Sequence, residues 1–269
     1  AAALGFAEDF SRLAAELGDA QAELAAHRLL ALSLHMRGAQ PQASALARRA
    51  LEPGAAQLRF LHGSIHQLDH QAAAQATLAR ILWLQGETGE AQALVADAIR
   101  RATEQQHGFT LTFTLALIGL PLALWAGDRA LARERAALLS RCVRKHSLSF
   151  WLGWSRMYEC LLDWLEAPGG DAAPDWLDEF ARHPSRADLL ATLDARLVSP
   201  QALQRLRQGA AGWCAAELQR MLAVTAWREG EIDLAALRQR LAAALALAQA
   251  QGAAAWTRRI EASLSQAAG

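Results

Sequence analysis

The chain is predicted to be all-α, an α-solenoid built from helical hairpins of tetratricopeptide type. Three observations predict it. A phrase recurs along the sequence: an apolar helix ends in Trp or Met, a Gly follows within two or three residues, and an Ala/Leu-rich amphipathic run comes next. It reads HMRGAQPQASALARRAL at 35–51, LWLQGETGEAQALVADAI at 82–99, LWAGDRALARERAALL at 124–139 and AWREGEIDLAALRQRLAAAL at 226–245. Such recurrence at helix-pair spacing marks a stacked array, because one helical hairpin cannot bury its own apolar face and must borrow its neighbours'. Second, Ala and Leu dominate and β-branched residues are sparse, which favours helix and gives no reason to expect a sheet. Third, 269 residues at 53% hydrophobic and 6% aromatic are enough to bury a sizeable core.

The elements follow from apolar spacing and punctuation. A first helix over 4–17 stops at Gly18, and Asp19 caps a second that runs to Arg37. Pro41 opens a third ending near Glu52, where Pro53 and Gly54 close the unit. The stretch 55–68 is less regular. Asp69 is placed to cap a long helix through Gln85, since its carboxylate accepts from first-turn amides. A partner helix covers 88–106 and ends at Gly108. The uncharged segment 110–126 is expected to kink at Pro121, which lacks an N–H and clashes with the preceding turn. Asp128 caps the next helix, to Lys145, and Ser147 caps an aromatic helix over 148–166. PGGDAAP at 168–174 is read as a joint.

From 175 to 208 the pattern weakens into short helices split by Pro184 and Pro200. Marker tryptophans Trp83, Trp125 and Trp164 recur at intervals of 42 and 39 residues, whereas the step to Trp227 is 63. The expected organisation is therefore repeats over 1–167, an irregular insertion over 168–212, and closing repeats with a cap helix over 213–269. In all, about 11 to 13 helices are expected, wound into a right-handed superhelix.

Several function classes are disfavoured. Positive and negative side chains balance at 27 each, so no overall field attracts nucleic acid or anionic lipid. Direct nucleic-acid binding and membrane association are not expected. The run FTLTFTLALIGLPLALWAG at 109–127 carries no charge over a length that could span a bilayer. Thr110, Thr112, Thr114, Gly119 and Pro121 dilute it, and a helix covered on both faces by adjacent repeats gives the same pattern. Cys142, Cys160 and Cys214 lie far apart without CxxC spacing, and suit a reducing, cytoplasmic setting as small buried hydrophobes. The start in full helical pattern at Ala1 is expected of an excised piece of a longer chain.

No GxSxG elbow, HExxH pair or carboxylate pair on an apolar face appears in the sequence, so no catalytic residues are assigned and no cofactor or metal is expected. His62, His66 and His70 fall four apart, a spacing that would stack imidazoles on a continuous helix. Gly63, Ser64 and the Asp69 cap break that helix, leaving loop histidines. Glu8 with Asp9, and Asp175 with Asp178 and Glu179, sit near helix starts, where they favour the dipole. Arg100 with Arg101, Arg133 with Arg135, and Arg141 with Arg144 and Lys145 read as solvated basic faces.

Helix 148–166 concentrates the large side chains. Trp151, Trp154, Tyr158 and Leu162 share one stripe, and Phe150, Met157, Leu161 and Trp164 another. Core packing accounts for such residues, and so does the wall of a binding groove, because indole and phenol carry a donor at one end. Trp151, Trp154 and Tyr158, with Trp125 and Trp83, are the candidate ligand-binding groove.

The stretches 56–165 and 210–266 resemble the C-terminal tetratricopeptide-like repeat region of bacterial signal-transduction ATPases of the STAND type, including winged-helix transcriptional regulators. DHQAAAQATLARILWLQGETGEAQ, HGFTLTFTLALIGLPLALWAGD, HSLSFWLGWSRMYECLL and the segment from AELQRMLAVTAWREGEIDLAAL to TRRIEASL carry the likeness. The phosphate loop GxxxxGK[ST] of the family's ATPase is absent from this sequence, so neither ATP hydrolysis nor DNA binding carries over. The resemblance implies a non-catalytic sensor or docking region that binds a peptide, protein or small effector on behalf of ATPase and winged-helix modules. A stand-alone scaffold for a partner protein is the alternative.

Overall fold

A computed structural model describes residues 2–52, 69–167 and 172–267. Among these residues the chain is helical throughout, with fourteen helices and no strand. It divides into two compact units. Unit 1 takes Ala1–His35, Pro41–Trp83 and Glu87–Glu166; unit 2 takes Ala167–Gly269 with the short stretches Met36–Gln40 and Leu84–Gly86. Residues 172–212 and 213–267 thus fall in one unit.

The helices of the first part are α1 (Ala2–Leu17), α2 (Ala20–Met36), α3 (Gln40–Arg49), α4 (His70–Gln85), α5 (Thr88–Glu104), α6 (Gly108–Trp125), α7 (Arg129–Lys145) and α8 (Ser149–Glu166). The recurring phrase is one recurring turn. Its glycines, Gly38, Gly86, Gly127 and Gly230, lie at φ +88°, +93°, +75° and +76°, the left-handed region that a Cβ disfavours. The residue after the glycine donates its N–H back across the turn: Glu87 to Leu82 O at 2.9 Å, Asp128 to Ala123 O at 3.0 Å and Glu231 to Ala226 O at 2.9 Å. That bond satisfies a carbonyl which the end of the helix leaves open, and it reverses the chain within a few residues.

Aspartates then restart the helices. Asp19 Oδ1 accepts from the N–H groups of Gln21 and Ala22, Asp69 Oδ1 from Gln71 and Ala72, and Asp128 Oδ1 from Leu131. Two junctions use the same turn without glycine: Gln106 stands at φ +52° and Ser147 at φ +53°. Ser147 therefore does not cap the aromatic helix. It closes α7, donating its N–H to Arg144 O at 3.4 Å, and α8 begins two residues later. Gly108, read as a helix stop, instead opens α6, where the His146 ring lies so close that a Cβ would come within 2.3 Å of it.

Within unit 1, α5 packs on α6, α6 on α7 and α7 on α8, while Leu24, Ala50 and Ala74 form a small core with Leu51 against it. The first helix of a pair is covered more fully than the second. Residues 72–84 of α4 are all buried, whereas α5 and α7 bury one face each, Ala91, Val95, Ala98 and Ala102 in the former. Helix α6 has a mean hydropathy of 1.7, enough by length and composition to cross a membrane, and 78% of it is buried inside the protein. Cover by neighbouring protein accounts for an uncharged helix of this kind.

Pro121 does not break α6. The helix passes through a π-helical stretch, Leu115–Gly119, immediately before it. Widening the turn relieves the contact between the proline ring and the carbonyl four residues back, at the cost of leaving backbone carbonyls to find other donors.

Unit 2 holds two short helices, α9 (Leu177–Ala181) and α10 (Pro184–Leu190), then α11 (Pro200–Arg207), α12 (Ala215–Arg228), α13 (Leu234–Ala250) and α14 (Ala254–Gln266). Single 3₁₀ turns at Ala195–Leu197 and Gly212–Cys214 link them. Ser199 caps α11 and Asp233 caps α13 through first-turn amides. The last three helices pack on one another. At their centre Trp256 Nε1 donates to Trp213 O at 3.0 Å, with the indole rings 6.4 Å apart.

Candidate functional site

The five aromatic residues singled out by sequence all lie in unit 1, and each is buried: Trp83, Trp125 and Trp151 are 5% exposed, Trp154 is 3% and Tyr158 is 0%. The structure gathers them through ring contacts. Trp83 and Trp125 stack at 4.7 Å between centroids, and Trp154 lies 6.2 Å from Tyr158. Trp151 sits edge-on to Phe109, Phe113 and Phe150 at 5.3–6.1 Å. Their faces are taken up by packing, each large aromatic contributing roughly 2–3 kcal/mol through burial.

The carbonyls of the π-helical stretch organise two of these groups. Tyr158 Oη donates to Ala116 O at 2.5 Å, Arg80 Nη1 to Leu117 O at 3.4 Å, and Arg135 Nη1 to Gly119 O at 2.5 Å. Three neighbouring helices, α8, α4 and α7, each supply one donor. Arg80 also lies over the Trp125 ring, 5.5 Å from its centroid, where the ring's negative face attracts the guanidinium. Burial drives the Tyr158 phenol far above its ordinary range, with Arg80 opposing weakly, so it remains a neutral donor. Burial likewise lowers the Arg135 guanidinium, against the pull of Glu134 and Asp128.

Arg135 is thus not the solvated side chain that its spacing suggested. Most of the other basic points do lie at the surface, in ion pairs or hydrogen bonds. Arg100 and Arg101 bond Asp97, Arg100 also Glu104, and Arg133 bridges Asp163 and Glu166. His62 and His66 lie outside the described residues, as does the side chain of His70. Among the described residues no group of three or more His, Cys, Asp or Glu is placed to hold a metal ion.

None of the five aromatics lines either of two open cavities. The larger, about 380 Å³, lies in unit 1 between α5, α6 and α7. Its lining includes the buried Ala102, Leu111 and Cys142, the half-buried Leu138, and the exposed Arg141, Lys145 and His146. Cys142 Sγ is fixed there, donating to Gly108 O and accepting from Thr112 Oγ1, both at 3.3 Å. A smaller cavity of about 240 Å³ lies in unit 2, lined by Asp194, Arg220, Arg228 and Thr225 among others.

Beside that second cavity is a buried carboxylate that sequence reasoning missed. Glu217, 0% exposed, receives both ends of the Arg220 guanidinium at 2.8 and 2.9 Å and Arg259 Nη1 at 2.9 Å. Arg220 reaches on to Ser263 Oγ, and Arg259 to Thr192 O and over the Trp256 ring. Asp188, 2% exposed, is gripped the same way by Arg205 at 2.7 and 2.8 Å. The pairings join residues far apart in the chain, Glu217 with Arg259 and Asp188 with Arg205. Only the i, i+3 spacing of Glu217 and Arg220 could have hinted at them.

The chain matches no family model, and neither a curated protein nor a solved structure is detectably similar to it.

Proposed function

We propose that this chain is a non-catalytic helical-repeat sensor domain of a larger bacterial ATPase-type transcriptional regulator, working in the cytoplasm and binding a small effector. The observation that carries the reading is the recurrence of one left-handed glycine turn at Gly38, Gly86, Gly127 and Gly230, each between two helices. A chain assembled from repeated helix pairs offers binding surface and a body that can shift between packings, which is what a sensor for an attached module requires. The effector fits the open cavity of unit 1 better than the aromatic groups, whose faces are already in contact. Occupancy would bias how α5, α6 and α7 pack, and so the state of an adjoining nucleotide-dependent module.

The test is a melting screen of the 269-residue chain against metabolites and short peptides. A sensor shows a saturable rise in Tm with one chemical class. If no compound shifts Tm while a defined partner domain binds, the chain is a scaffold. Turnover of a generic ester, phosphate or peptide that disappears with one polar substitution would make it an enzyme.

A further inference from the structure

The basic residues that line the larger cavity differ from their neighbours on the same helix. Along α7, Arg129 donates to Leu165 O, Arg133 pairs with Asp163 and Glu166, Arg135 binds Gly119 O and Arg144 binds Ser140 Oγ. Arg141 and Lys145 pair with no carboxylate among the described residues, although both line the cavity. The negative end of the α7 dipole accounts for cations in its last turn, Arg144 and Lys145, but Arg141 lies before that turn. His146 adds a third basic group at the same cavity, and among the described residues no acidic side chain lines it. Leu111, Leu138 and Ala102 give the cavity an apolar part, beside Cys142, Thr103 and Gln106.

We propose that this cavity binds a small organic carboxylate with an apolar tail. The tail lies on Leu111, Leu138 and Ala102, and the carboxylate meets Arg141 and Lys145. The volume, about 380 Å³, falls in the range of small-molecule sites, which pair an apolar lining with a few placed polar groups. An ionised group accepting hydrogen bonds from arginine and lysine gains more than a neutral one does, so charge and tail are both required. This inference rests on the sensor reading above and names the chemistry of its effector.

The experiment uses the whole chain at neutral pH and titrates octanoate by calorimetry, with octanamide for the tail without the charge and acetate for the charge without the tail. Octanoate is expected to bind saturably, and each of the other two at least about tenfold more weakly. The double variant Arg141→Gln/Lys145→Gln changes two exposed side chains and leaves the core intact, so it is expected to fold as before and to lose about tenfold or more in octanoate affinity. Equal binding of octanamide, unchanged affinity in the double variant, or no saturable octanoate binding would each overturn the assignment. If a compound of another class raises Tm while octanoate fails, the carboxylate is refuted and the sensor reading stands.

Discussion

Unit 1 and unit 2 are both helical, yet the most connected buried polar cluster of each is built on different chemistry. In unit 1, Tyr158, Arg80 and Arg135 each meet one backbone carbonyl of the π-helical stretch before Pro121. In unit 2, two buried side-chain carboxylates, Glu217 and Asp188, are held by arginines. Asp188 and Arg205 tie the short helices α10 and α11, and Glu217 with Arg220 and Arg259 ties the long helices α12 and α14. A buried carboxylate between arginines adds orientation but tolerates no missing member, because the remaining charges stay behind without compensation.

The largest expected effect is therefore in unit 2. Glu217→Gln leaves Arg220 and Arg259 without their anion and should cost about 3–5 kcal/mol, read from urea unfolding. A loss below 1 kcal/mol would mean that the buried network contributes no more than a surface pair. In unit 1, Tyr158→Phe deletes one hydroxyl and leaves Ala116 O without its donor in a buried site, with an expected cost of about 1–3 kcal/mol. Ser147→Gly works in the other direction. It relieves a left-handed residue in an exposed turn, and a gain of up to about 1 kcal/mol is expected in the same unfolding assay.

Acidity tests both units at once through histidines. Burial, the leading cause in each, lowers His27, His107 and His183, helped at His27 by Arg49 and at His183 by Arg186. A histidine that titrates below its ordinary value in the folded chain takes up its proton more readily when unfolded. Its stabilisation is complete above the ordinary value of about 6.5 and is lost as pH falls through the lowered one. Tm should thus decline on acidification below that range, and His107→Gln should flatten the decline. The smallest effect belongs to the surface: Arg100→Ala, which removes exposed pairs with Asp97 and Glu104, should change stability by no more than about 1 kcal/mol.

What could be read from the sequence was whatever a single residue type encodes locally. The glycine turns fall where the recurring phrase puts them, and the caps Asp19, Asp69 and Asp128 where helix-start punctuation puts them, because left-handed backbone selects glycine and free first-turn amides select short acids. The same turn at Gln106 and Ser147 was illegible, since those residues carry no such signature and Ser147 imitates a cap. Pro121 signalled a distortion but not its form: whether a helix bends or widens depends on donors such as Arg80 and Tyr158 that come from elsewhere in the chain. The aromatic concentration in α8 was visible too, but its near-complete burial depends on tertiary neighbours. The basic side of the cavity was visible only as a cluster in the sequence, because the carboxylates that neutralise the other arginines, Asp163 and Glu166 for Arg133, also come from another helix.

Amide hydrogen exchange of the whole chain, with and without the compound that raises Tm most, bears most directly on where an effector acts. The account predicts slowed exchange over 102–111 and 138–146, the segments around the open cavity, with the amides of 151–158 unchanged. Slowing centred on Trp151, Trp154 and Tyr158, with 102–111 and 138–146 unaffected, would contradict it and move the site to the aromatic helix.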